Sequence, residues 1–329
     1  MQMLDLAFDA VVERGKHLSS VLAALFAQIK PDQEEATDIR HELYRRVRAL
    51  GMPSFLRERI EQAYGPSVAE AIISSSMVDA PVFIRPNTLR ATTADVHQAL
   101  PGSILRTDFG FEALEIPEPY GLFRTQAYLD GWFEQQDLAS QRVSETLRLQ
   151  AGMRVVDACA GAGGKSLHMA ALMKNTGRII ALDVAEDKLN TLRKRAAHAG
   201  VSIIDARPIY STKIIKRLAD SADRVLLDVP CSGTGVLRRN PDIMIHTSET
   251  SLLELQDIQA NILRRNARSA KPGGLVCYAN CSVLLEEGRL QVERFLHESG
   301  NAFTLLEEWQ TLPHELDCDG FYVALMQRS

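Results

Sequence analysis

Two of the five cysteines stand where a thiol could do chemistry. Cys231 follows the apolar run of RVLLDVPC, and Cys281 ends that of GLVCYANC, so each lies where a strand would give way to a loop. A deprotonated thiol is a strong nucleophile. The other reading is a buried small hydrophobe, and on residue type and position alone the two stand level. Cys277, inside its run, and Cys318 read as core residues. Asp228 adds a carboxylate beside Cys231. The cysteines are odd in number and widely spread, and no second cysteine pair or nearby His-x-x-x-His completes a zinc site. We therefore expect reduced thiols and no metal.

A second constellation precedes these. The run RVVDACA leads directly into GAGGKS. A glycine-rich turn at a strand end lets the backbone approach a ligand and aims amide groups at it. Ala158 occupies the place of the first glycine of a phosphate loop, and Gly161-x-Gly163-Gly164 lacks the last glycine of a dinucleotide fingerprint. About twenty residues on, the next run ends in Asp183, where a carboxylate can accept hydrogen bonds from both ribose hydroxyls. A third run ends in Asp205, near the expected adenine edge. Either acid alone could equally be a helix cap. The ordered set of loop, Asp183 and Asp205 points to an adenosine ligand without saying which.

Two thiols beside an acid suit one kind of reaction. Carbon 5 of a pyrimidine is a weak nucleophile. A thiolate added at carbon 6 turns the ring into an enamine, whose carbon 5 can attack an electrophilic methyl group. The carbon 5 proton must then leave and the thiolate must be expelled. A nearby acid can hydrogen-bond the base edge and favour the adduct. Lys165 and backbone amides are candidates to favour ionisation of the thiol.

These groups need a scaffold. After Ala151-Gly152, RVVDACA, RIIALDV, VSIIDAR, RVLLDVP and GLVCYANC are short apolar runs with helical stretches between most of them. This pattern predicts an open, mainly parallel sheet with helices on both faces. FTLLEEWQTL and DGFYVALMQ could add final strands at an edge. Residues 1–75 read as helices. Leu4, Ala7, Phe8, Val11 and Val12 recur at helical spacing, and Leu18, Val21, Leu22 and Leu25 continue it. A second helix is expected over about 34–50 and a third over 54–64, stopped by Gly65-Pro66. Residues 76–150 read as a small α+β unit, with a strand near PVFIRP, a helix from about Thr93 and another over 141–149.

The chain has 329 residues and a formal net charge of -5. Residues 151–281 nevertheless carry 19 basic and 12 acidic side chains. That segment can meet phosphates locally, although solvated helix faces explain the charge as well. No apolar run is long enough for a transmembrane helix, and the N-terminus lacks the basic start and apolar stretch of a signal peptide. A cytoplasmic protein with no membrane partner is the expectation.

At these residues the sequence resembles the Sun/Nop family of RNA cytosine-5 methyltransferases. DACAGAGGKS resembles the family's cofactor loop, DVPCSGTGVLRRNPD its Asp-x-Pro-Cys motif, and LLELQDIQANILRRNARSAKPGGLVCYANCS its nucleophile segment. FIRPNTLRA, GWFEQQDLASQ and DGFYVA resemble further signatures, so the likeness spans roughly residues 50–329. It implies a Rossmann-like S-adenosylmethionine-dependent domain over 151–329, behind an RNA-binding subdomain over 76–150. It implies that Cys281 is the nucleophile, that Cys231 aids product release, and that Asp228 lies between cofactor and base. Cofactor contacts fall on Cys159, Ala160, Gly161, Ala162, Gly163, Gly164, Lys165, Asp183, Asp205 and Asp228. RNA contacts fall on Arg85, Asn87, Arg238 and Arg239, with Arg264, Arg265 and Arg268 as further phosphate candidates. The expected partner is RNA, ribosomal above transfer RNA, bound by a monomer. Val229 replaces the usual Ala and Asn280 the usual Thr, while Ile245 and His246 stand where an aromatic residue is common. The competing reading is a non-catalytic RNA-binding ribosome-assembly factor that retains the fold.

Overall fold

The apolar runs of the second half build the central layer of the molecule. In the computed structural model, which describes residues 2–329, they form a seven-stranded sheet. Met1, the first residue of the expected helical region, lies outside the described residues.

The helical region holds α1 (Gln2–Val12), α2 (Leu18–Ile29), α3 (Gln33–Arg48), α4 (Ser54–Tyr64) and α5 (Pro66–Ser76). Asp32 and Glu35 start α3 with a reciprocal capping box. Gly65-Pro66 ends α4 at Tyr64 as expected, and a further helix starts at once. Gly65 turns the chain at φ +80° and Pro66 takes the first position of α5, where its missing N–H costs nothing. Helices α1 to α3 enclose one core with Val11, Leu18, Leu22, Leu43 and Val47. Helices α4 and α5 instead share a core with Leu252, Val283, Leu284 and Leu312 of the second half.

Next come β1 (Val82–Pro86), α6 (Thr93–Ala99), β2 (Ile104–Arg106), β3 (Ala113–Ile116), α7 (Gln126–Leu129), β4 (Phe133–Gln135) and α8 (Leu138–Thr146). The strands form an antiparallel sheet in the order β2-β3-β1-β4, closed by Ile84, Val96, Leu114 and Phe133.

The remaining elements are β5 (Arg154–Asp157), α9 (Gly164–Leu172), β6 (Arg178–Asp183), α10 (Glu186–Ala199), β7 (Ile204–Pro208), α11 (Lys213–Lys216) and β8 (Ala222–Asp228). They continue with α12 (Ile243–His246), α13 (Glu249–Asn266), β9 (Ala270–Asn280), α14 (Arg289–Ser299), β10 (Phe303–Thr311) and β11 (Phe321–Arg328). The sheet order is β10-β11-β9-β8-β5-β6-β7. Strands β5 to β9 pair in parallel, while β11 is antiparallel to both β9 and β10. Residues alternate between two covered faces. Val155, Ile179, Leu226 and Cys277 pack on one side, and Val156, Ile180, Leu227 and Tyr278 on the other. This is a Rossmann-like α/β fold, and its active edge lies where the parallel strands end.

Candidate active site

The turn after β5 is shaped for close approach. Gly163 caps α9 at φ +88°, and a Cβ there would stand 2.5 Å from Leu192 Cγ of α10, so only glycine fits. Asp183, at the end of β6, accepts hydrogen bonds from the Gly161 and Ala185 amides, both at 2.8 Å. Its carboxylate therefore braces the loop as well as marking the strand end. A cavity of about 450 Å³ opens beside the loop and is lined by Asp157, Cys159 to Lys165, Asp228, Arg239, Cys281 and Phe321, among others.

Asp157 forms part of the cavity wall and is almost fully buried. Ser166 donates to its Oδ2 at 2.6 Å, while Oδ1 is buried without a partner. Burial raises this carboxyl to about 7, against the pull of Ser166. Burial also pushes the Cys159 thiol well up, and the carboxylates of Asp157, Asp228 and Asp183 add to that rise.

Strands β8 and β9 are parallel neighbours, with Asp228 opposite Ala279, so their following loops meet. Cys231 Sγ and Cys281 Sγ stand 3.4 Å apart. Lys165 reaches over from α9 and binds Asp228 Oδ2 at 2.7 Å, its Nζ 5.0 Å from the centre of the Phe321 ring. Burial opposes the charge on Lys165, but Asp228 and Cys281 together hold its ammonium above the ordinary lysine range. The hydrogen bond with Cys281, and then burial, hold the Cys231 thiol well above its ordinary range.

Glu287, which the sequence reading passed over, fastens this junction. It is fully buried and accepts from the Ser232 amide at 2.8 Å, the Ser232 hydroxyl at 2.5 Å and Gln259 Nε2 at 2.9 Å. Its backbone carbonyl accepts from Tyr278 and from Asn280 Nδ2. Asn280 Oδ1 accepts from the Ser282 amide at 3.0 Å, so the residue in place of the family's Thr ties down both flanks of Cys281. Gly235 donates to the Cys281 carbonyl at 2.9 Å, and a Cβ there would meet the Gly320 carbonyl at 2.0 Å.

Several expected site residues lie elsewhere or are already engaged. Asp205 is the second residue of β7, not its end, and it pairs with Arg178 and Arg207. Arg207 is the main cause that holds its carboxyl down at about 2. It does not line the cavity. At the matching strand ends, exposed Val184 and Tyr210 offer apolar surface that no motif had marked. Arg85 is buried, bonded to Gln136 and to the Gly164 carbonyl, and burial lowers its guanidinium to about 10. Asn87 is buried between the carbonyls of Gly131 and Ala199. Arg238 is buried against Asp317 and Asp319, and Arg239 bridges Asp137 and Asp319. These four build the site's frame and do not present free donors to RNA. Arg264 pairs with Glu298, whereas Arg265 and Arg268 are exposed.

A Rossmann-like sheet with a glycine loop, a bracing acid and an acid–lysine pair at its active edge is the site of a nucleoside-cofactor enzyme, and the chain's relatives place it among the S-adenosylmethionine-dependent methyltransferases. The family model described as 16S rRNA methyltransferase RsmB/F matches residues 144–327, and the chain belongs to that family. It is 31% identical to the ribosomal RNA small subunit methyltransferase B of Vibrio cholerae, over 96% of this chain and 74% of that protein. The protein of the same name from Serratia proteamaculans is 32% identical over the same shares. A solved methyltransferase homologue from Pyrococcus horikoshii superposes with a TM-score of 0.76 at 25% identity, over 87% of this chain and 99% of that one. The chain is thus an RNA methyltransferase that uses S-adenosylmethionine. The residues present suit that cofactor. The unpartnered Asp157 Oδ1 is an acceptor fit for an ammonium group, and the glycine loop leaves open space at Gly161 and Gly164. No helix among the described residues is long and apolar enough to cross a membrane.

Proposed function

We propose that the chain methylates carbon 5 of a cytosine in small-subunit ribosomal RNA, with Cys281 as covalent nucleophile and Cys231 as the partner that assists release. The observation that carries this reading is the pair of thiols 3.4 Å apart, next to the Lys165–Asp228 ion pair. The cofactor, when bound, supplies the electrophilic methyl group. Asp157, the loop of residues 159–165, Asp183 and Asp228 would hold it.

Cys281, as thiolate, adds to carbon 6 of the base. The electron pair moves to carbon 5, which takes the methyl group. Loss of the carbon 5 proton to a base restores the double bond and expels Cys281. Asp228, oriented by Lys165, hydrogen-bonds the base edge and favours the adduct. Cys231, held protonated, donates a hydrogen bond to the departing Cys281 sulfur, so Cys281 leaves as the thiolate it began as and the carbon 5 proton passes through the general base to solvent. The target base leaves its stack to bring carbon 6 to a thiol in this recess.

The small α+β unit and the helices of the N-terminal region supply the RNA-facing side in this reading. Between α3 and residues 115–124 runs a groove of about 980 Å³ that extends to Arg238 and Arg239. Exposed Arg40, Arg124, Tyr120 and Phe123 line it, and cations interleaved with aromatic rings suit single-stranded RNA.

Covalent trapping tests the reading. Wild type, Cys281→Ser and Cys231→Ser are incubated with unmodified small-subunit RNA and cofactor, then run on denaturing gels. A stalled protein–RNA adduct is expected for Cys231→Ser and none for Cys281→Ser. An adduct that survives Cys281→Ser, or methyl transfer by that variant, would overturn the assignment.

A further inference from the structure

Away from the cofactor cavity, His17 of the N-terminal region meets Asp242 and His246, which lie one helical turn apart. His17 lies between α1 and α2, Asp242 precedes α12, and His246 ends it. One ligand atom from each lies within 4.8 Å of the other two. Asp242 Oδ2 is 3.5 Å from His17 Nδ1 and 3.7 Å from His246 Nε2.

These separations are too long for hydrogen bonds, which run at about 2.7–3.2 Å. They are near the edge of a metal's coordination tetrahedron, about 3.3–3.4 Å for bonds of 2.0–2.1 Å. His246 Nε2 is buried and has no hydrogen-bond partner, so the cluster leaves a donor or acceptor unanswered. The Asp242 side chain is 6% exposed, and its Oδ2 also accepts the Leu18 amide at 3.0 Å, which fixes it at the start of α2. The two imidazoles meet edge to face with centroids 5.1 Å apart, an arrangement that turns both toward the carboxylate without stacking.

We propose that His17, Asp242 and His246 form a zinc site that fastens the N-terminal helices to the segment carrying Arg238 and Arg239. Two imidazoles and a carboxylate are a zinc donor set, with water completing the tetrahedron on the exposed side of His17. The ion ties the turn before α2 to the 238–242 segment, which α3 already touches through Tyr44 to the Arg239 carbonyl and Arg48 to the Arg238 carbonyl. The site lies away from the methyl-transfer residues, so the ion acts here by holding the two segments together, with one coordination position left to water. The sequence hides the site because His17 is more than two hundred residues from the Asp242–His246 pair.

The test is cobalt titration of the full chain, with zinc competition and thermal melting. About one cobalt per chain is expected, giving visible d–d bands without the intense near-ultraviolet absorption of thiolate ligation. Zinc should displace it and raise the melting temperature. His17→Ala and His246→Ala should lose both effects, and Cys231→Ser/Cys281→Ser should keep them. The His17 side chain is 75% exposed, so its substitution leaves the fold intact. The proposal is overturned if wild type binds no cobalt, if binding survives both histidine substitutions, or if it disappears with the cysteines.

Discussion

The sulfur atoms of Cys231 and Cys281 lie 3.4 Å apart although each sits on a separate loop, leaving adjacent parallel strands. Two thiols in contact need only a small approach to bond, and neither is shielded by full burial. A mild thiol oxidant should therefore join them and stop methyl transfer, with a mass loss of about two hydrogens and full recovery under reductant. Cys231→Ser should show no such intramolecular bond. Oxidation of wild type that leaves both thiols free to alkylating reagent would contradict the contact.

Glu287 controls how those loops meet. Its carboxylate faces three donors, from the Ser232 amide, the Ser232 hydroxyl and Gln259. In Glu287→Gln the amide oxygen keeps both N–H donors only if its NH2 faces Ser232 Oγ, which must then turn to accept, and all three bonds lose the charge of the carboxylate. That costs about 1–3 kcal/mol, or about tenfold to a hundredfold in rate if it is felt in the transition state. The expected result is a fall in kcat with little change in cofactor affinity, because Glu287 does not line the cofactor cavity. An equal loss in cofactor binding would show that the effect spreads through the whole sheet edge.

Much of this frame is legible in the sequence, for identifiable reasons. Strands β5, β6, β8 and β9 are covered on both faces and so read as apolar runs ending at the site residues Asp157, Asp183, Asp228 and Asn280. Strand β7 is the sheet's edge and only half-buried throughout, so no apolar run marks its extent. The run VSIID suggested a strand ending at Asp205, whereas the strand starts at Ile204 and runs on to Pro208. Arg85, Asn87 and Arg238 look like free donors until their partners are known, and those partners lie about 44 to 112 residues away. The expected final strands do join the sheet, but β11 enters between β9 and β10 instead of extending the edge in order. Sequence patterns register burial well and long-range polar pairing poorly.

Asp157 gives a pH signature. Its carboxyl sits at about 7 in the fold, raised by burial, against about 3.9 for an unperturbed aspartate. The folded state thus binds a proton more tightly than the unfolded chain. The stability this contributes is fully present below about pH 4 and is lost as pH rises through about 7, at up to about 1.4 kcal/mol per unit. Asp157→Asn keeps the acceptor for Ser166 and removes the titration. In cofactor-free protein, urea denaturation at about pH 5 and about pH 8 should show wild type losing stability relative to the variant at the higher pH. Comparing the two chains cancels His168, whose burial lowers its pKa to about 4 in both. Parallel stability curves would mean that Asp157 is ionised throughout.

Arg239 is the clearest case in which a predicted RNA contact is better explained as an internal one. Its Nε lies 2.8 Å from Asp319 Oδ2 and its guanidinium reaches Asp137 Oδ2 at 2.9 Å. Both carboxylates are almost fully buried, and the Asp137 Oδ1 atom also accepts from the Asp319 amide and from the Ala139 amide at the start of α8. Burial, and then Asp137, raise the Asp319 carboxyl to about 6 even with the arginine present. Arg239→Ala leaves Asp137 without its cation and Asp319 with only Arg238 Nε at 3.5 Å, which should cost about 3–5 kcal/mol. Because protonation of Asp319 relieves its repulsion from Asp137, the loss should be greater at about pH 8 than at about pH 5. Arg239→Lys keeps a charge but cannot span both carboxylates with a planar fork, so it should fall between the two. Asp137, Arg239 and Asp319 also border the cofactor cavity, so weaker S-adenosylmethionine binding should accompany the instability. If Arg239→Ala instead keeps wild-type stability and cofactor affinity and loses only RNA binding, the side chain faces the substrate and the internal assignment fails.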